Sequence, residues 1–204
     1  ASPLHLDEHI RSTELRFFVM NQSYPARTLL GALAGLQITP VRRKIFVSYH
    51  HAHDQGYYNE LSRVLHDQMD VVFDNSLDRR IDSDNTEYVI QRIRDDFISG
   101  TSCTIVLCGP ETYQRKYVDW EIKATLDKGH GLIGLHLPTA VRGDQGGILV
   151  PSRLHQNIQS GYAVWKSWAD LAANPRLMTT WIEEAVARDQ SKIVNPHEIK
   201  SRNG

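Results

Sequence analysis

The sequence predicts an α/β domain: a doubly wound sheet of about five parallel strands, with helices on both faces and an N-terminal extension. Three observations predict it. Apolar runs of strand length recur at residues 44–49, 104–109 and 131–137. Segments with apolar residues at helical spacing separate them. Strand and helix signals alternate along most of the chain, which is the pattern of a parallel sheet fed by crossover helices.

Residues 44–49 (KIFVSY) read as the first strand, rich in β-branched and aromatic residues and polar at its end. Asp54 is expected to cap a helix running to about Gln68, with Tyr58, Leu61 and Leu65 on one face. Residues 71–73 are a short second strand, and 74–84 (DNSLDRRIDSD) a polar loop. A second helix carries Val89, Ile93 and Phe97 and stops at Ser99-Gly100. The third strand, a helix with Val118, Ile122 and Leu126 as its core stripe, and the fourth strand follow.

Residues 138–159 hold Gly143, Gly146, Gly147 and Pro151 and read as a long loop. Residues 162–168 suit a fifth strand. Asn174-Pro175 is expected to start a last helix with Leu177, Trp181 and Ala185 facing the core. Residues after about Lys192 read as a frayed tail. The domain plan is an extension over 1–40, the main domain over 41–190 and a C-terminal tail over 191–204.

Composition narrows the function. Hydrophobic content of 41% and charged content of 23% are ordinary for a globular protein. A net charge of −1 gives no pull toward nucleic acid or anionic membrane, so neither is expected as a partner. The longest nearly uncharged apolar stretch, 28–40, is shorter than the roughly 20 residues that span a bilayer. The first residues lack a leader-like pattern. Cys103 and Cys108 lie on one strand and point to opposite faces, so they are not expected to pair. A reduced, cytoplasmic setting follows.

Chemistry is expected at Glu121. Open parallel sheets bind ligands outside the carboxyl ends of their strands, and the helix after the third strand starts beside that crevice. Glu121 lies near the start of this helix, with Tyr117 one turn before it. Ser48, Tyr49 and His50 end the first strand and either line the crevice or are ordinary strand-end polarity. Asp74 and Ser76 follow the second strand and could bond a ribose or an amide, or serve the turn. The cluster HHAHD at 50–54 invites a metal reading. It lacks a second cluster at matching spacing, so no metal site is expected. An acidic pair after the first strand, which a phosphoaspartate receiver needs, is absent. So is a G-x-G-x-x-G fingerprint.

The ordered set KIFVSYHHAHD, VFDNSL, TIVLCG, YVDWEI and LIGLHL resembles the TIR-like domains of bacterial anti-phage defence, in particular the TIR component of Thoeris systems. The resemblance covers about residues 43–137, and more weakly the region to 188. It implies a flavodoxin-like TIR fold and cleavage of NAD, as substrate rather than cofactor, at the nicotinamide–ribose bond. Some members cyclise the product into a messenger for a separate effector. The family's glutamate lies on the helix after the third strand, four residues after an aromatic. Tyr117 and Glu121 match that pattern, with Tyr where many members have Trp. The eukaryotic-type loop after the second strand is replaced by 74–84. The resemblance also implies active sites completed by self-association. A non-enzymatic TIR-like adaptor is the rival. A nucleoside-processing enzyme of the deoxyribosyltransferase kind is a third reading.

Overall fold

The computed structural model describes residues 43–66, 69–72, 85–196, 198–200 and 203. The chain divides after Pro40 into two units, and all that is described belongs to the second. The extension over 1–40, and Asp74 and Ser76, lie outside the described residues.

Five strands form one parallel sheet: β1 (Lys44–Ser48), β2 (Asp70–Val72), β3 (Cys103–Cys108), β4 (Gly131–His136) and β5 (Val164–Ser167). Their order is β2-β1-β3-β4-β5. This is the flavodoxin-like order, and the chain reverses its winding between β1 and β3. The register sets Ser48 beside Val106 and Ile45 beside Cys103.

Alternation along each strand divides the core. Ile45, Val47, Ile105, Leu107, Ile133 and Leu135 pack on one face. That face is covered by α1 (His51–Leu65), α5 (Trp168–Ala173) and α6 (Leu177–Val186). Phe46, Val106, Cys108 and Leu132 pack on the other. Here lie α2 (Thr86–Arg92), α3 (Lys116–Asp127) and α4 (Ser152–Gln159). Burying one such Ile, Leu or Phe is worth about 1.5–3 kcal/mol. Cys103 and Cys108 fall in clusters on opposite faces, both free, and burial pushes both thiols up.

Four local readings are corrected. Asp54 does not cap α1: the helix begins three residues earlier, after His50, and Asp54 is fully buried in its first turn. The helix of residues 86–98 ends in a π-helical segment, Ile93–Ile98. Its wider turn puts Ile93 and Ile98 at full burial and leaves Phe97 half-buried. The end of the expected long loop is α4, whose buried residues are Arg153, Leu154 and Asn157. Two of those three are polar, so apolar spacing did not reveal the helix.

The fourth correction concerns the chain after Lys192. It docks on α3 and α4 instead of fraying. Ile193 and Ile199 pack against the core, and Asn157 bonds the carbonyl and the amide of Val194. No helix among the described residues is long and apolar enough to cross a membrane.

Candidate active site at the β1–β3 switch point

Helix α3 is buried on several sides. Val118, Ile122 and Leu126 enter one cluster, Trp120 and Ala124 another. Between these stripes lie Glu121 and Thr125, one turn apart, facing the sheet. Ser48 and Thr104, on neighbouring strands, have the alternation parity that faces α3.

A polar seam results inside an apolar interface. Ser48 Oγ donates to Glu121 Oε2 at 2.5 Å, with both residues buried. Thr125 Oγ1 donates to the Glu121 carbonyl at 2.8 Å and lies 2.7 Å from Thr104 Oγ1. A hydrogen bond to a charged group is worth about 1.5–3 kcal/mol, and an unmade one in such a place costs a similar amount. Glu121 is only 3% exposed.

Tyr117 lies one turn toward the N-terminus of α3, half-buried, its ring edge-on to Trp120 at 4.9 Å. Lys116 Nζ sits 5.0 Å over the Tyr117 ring and 5.2 Å over the Trp120 ring. The Tyr117–Glu121 pair therefore presents an aromatic face and a carboxylate on one side of the helix.

The structure separates the other strand-end residues from this pair. Tyr49 turns to the opposite sheet face, stacks on Tyr58 at 4.4 Å and bonds Gln55 through its hydroxyl at 3.0 Å. His50, nearly buried, points toward Glu111 in the loop after β3, with Nδ1 4.0 Å from Oε2.

Several polar contacts that hold α3 were not readable from spacing. Arg153 on α4, fully buried, donates to both carboxylate oxygens of Asp119 at 3.1 and 3.3 Å. Arg153 also reaches Asn195 Oδ1 at 2.5 Å and the Glu198 carbonyl at 3.4 Å. The Trp120 indole donates to the Lys200 carbonyl at 2.8 Å, and Asn203 Oδ1 accepts from the Lys116 amide at 3.0 Å. The last contact gives α3 the side-chain cap that Arg115, its N-cap residue, does not supply.

A separate cleft of about 560 Å³ lies between the loop after β4 and α4. Its lining includes Asp144, Leu149, His155 and Gln156, and none of the residues around Glu121.

The segment from β1 to the loop after β4 matches a family model described as Thoeris protein ThsB, TIR-like domain, over residues 46–142. Over residues 46–142 the chain is similar to the TIR-like domain of Thoeris ThsB proteins. A curated relative, named "Putative cyclic ADP-D-ribose synthase ThsB1", from Bacillus cereus (strain MSX-D12), is 37% identical over 68 residues. The alignment spans 32% of this chain and 34% of that protein, so about a third of the relative's length is matched. Both Ser48 and the Tyr117–Glu121 pair fall inside the matched span.

Proposed function

We propose that this chain cleaves NAD at the nicotinamide–ribose bond and makes a (cyclic) ADP-ribose-type signal in anti-phage defence. The observation that carries the reading is Glu121: a carboxylate bonded by Ser48 at the β1–β3 switch point, within the matched span. The relative's name, "Putative cyclic ADP-D-ribose synthase ThsB1", agrees with this class of product.

The chemistry suits one carboxylate. The bond from ribose C1′ to the pyridinium nitrogen breaks, its electron pair neutralises that nitrogen, and nicotinamide leaves uncharged. No general acid is required. Positive charge develops on the ribose, and a carboxylate facing it stabilises the transition state more than the ground state. Water, or a nucleophilic atom of the same ADP-ribose, then bonds C1′ and gives up a proton. Ser48 orients the carboxylate, and Tyr117 offers a surface for stacking.

Glu121 at 3% exposure is reachable only after the crevice opens. That burial calls for a step that opens the site; self-association is proposed to supply it, and the product then signals to a separate effector. It also motivates the rival reading of a non-enzymatic TIR-like adaptor, in which the Ser48–Glu121 bond is purely structural.

The test is NAD turnover by wild type and Glu121→Gln, with products separated by mass, over a range of protein concentrations. Gln keeps the shape and removes the charge. The expected result is activity per molecule that rises with concentration and falls about a hundredfold or more in the variant. Equal turnover in both proteins would displace Glu121 from the chemistry. Defence retained by Glu121→Gln in phage-challenged cells would favour the adaptor.

A further inference from the structure

Folding brings a third metal-ligating side chain to two histidines of the cluster at 50–54. His50 is the N-cap residue of α1, and His53 lies in its first turn. Glu111 belongs to the loop after β3. One ligand atom from each of the three falls within 4.8 Å of the others. His53 Nε2 is 3.5 Å from Glu111 Oε1, and His50 Nδ1 is 4.0 Å from Oε2. Donors bound to zinc at about 2.0–2.1 Å in a tetrahedron lie about 3.3 Å apart. The two histidine–carboxylate separations lie within about 0.7 Å of that value.

Polar contacts tie the start of α1 to the loop after β3 under the cluster. Asp54, next to His53 and fully buried, has Oδ2 3.1 Å from the Thr112 hydroxyl. Thr112 follows Glu111 directly, and its hydroxyl also accepts from the Gly109 amide at 2.9 Å. The Asp54 carboxylate occupies the space a side chain at Gly109 would need: a Cβ there would lie 2.0 Å from Oδ1. The start of α1, with His50 at its N-cap and His53 in its first turn, is thus pinned to the loop bearing the glutamate. Arg115 pairs with Glu111 through Oε2, which leaves Oε1 on the His53 side. Outer partners of this kind orient a ligating carboxylate.

We infer that His50, His53 and Glu111 form a binding site for a divalent transition-metal cation, zinc best of all, beside the β1–β3 crevice. Two imidazoles and one carboxylate suit zinc, and three protein ligands leave a coordination position for water or an anionic oxygen. This site stands apart from Glu121 and does not depend on any reaction at NAD.

The test is zinc titration of the metal-stripped full chain against a chromophoric chelator, with wild type, His53→Ala and Glu111→Gln. His53 and Glu111 are partly exposed, so both variants are expected to fold. His155→Ala is the control, an exposed histidine elsewhere among the ten. The expected result is one zinc per wild-type or His155→Ala chain. Binding should weaken about tenfold or more in the other two variants, at least the cost of losing an outer-shell partner. Zinc should also raise the unfolding temperature of wild type but not of His53→Ala. Cobalt in the same site should give the intense visible bands of a four-coordinate ion. Zinc binding equal in all four proteins, or no stoichiometric binding by wild type, would overturn the inference.

Discussion

At the scale of residues, the Ser48–Glu121 bond joins a strand end to a helix 73 positions away. Ser48 has no other assigned task, so Ser48→Ala separates orientation of the carboxylate from its presence. NAD turnover is expected to fall about tenfold, and stability by about 1–3 kcal/mol as the buried carboxylate loses a donor. Paired measurements of kcat and of denaturant midpoint check this. A stability loss with unchanged kcat would make the bond structural only. Glu121 itself was legible from its position after the third strand. That Ser48 rather than Tyr49 meets it follows from strand parity, because Phe46 and Ser48 share the α3 face while Tyr49 packs on α1.

At the scale of elements, α3 is held by a buried ion pair and by the segment after Lys192. Asp119 and Arg153 are largely desolvated, and breaking one partner of such a pair costs about 3–5 kcal/mol. Arg153→Met keeps much of the volume and removes the donors to Asp119, Asn195 and Glu198. The expected outcome is a loss of about that size, together with faster amide exchange over 193–200. Exchange unchanged in that segment would mean that the Val194 and Lys200 contacts hold it alone. None of this was legible, because α4 and the C-terminal segment are anchored by polar groups that no apolar periodicity marks.

At the scale of the whole molecule, two half-buried histidines set a pH dependence. Burial holds His130 below its ordinary 6.5, with Lys128 adding to it, and burial and Arg142 act alike on His136. A depressed folded value means the fold favours the neutral ring. That contribution is complete above pH 6.5 and is lost as the pH falls through the lowered value. Stability should therefore decline as the pH falls below 6.5 and through the lowered values, and His130→Gln should flatten part of that slope. Urea midpoints across the range test it, and identical slopes would exclude His130 as a contributor. His130 joins α3 to β4, bonds Thr101 at 3.2 Å through Nδ1 and takes the Tyr162 hydroxyl on its carbonyl at 2.7 Å. Its titration therefore bears on the sheet and α3 together.

The sequence by itself determined the strand–helix alternation, the parallel sheet, the opposed faces of Cys103 and Cys108, and the helix that carries Tyr117 and Glu121. These rest on local periodicity, which a window of a dozen residues contains. Only the tertiary structure decided which polar groups meet. Ser48 with Glu121, Asp119 with Arg153, and His50 and His53 with Glu111 are each separated by tens of residues. The same holds for the start of α1, where burial of Asp54 against Thr112 overrides its usual place as a cap. A buried polar side chain is tolerated only where a partner arrives, and partners arrive through sheet order and helix packing, which no local pattern encodes.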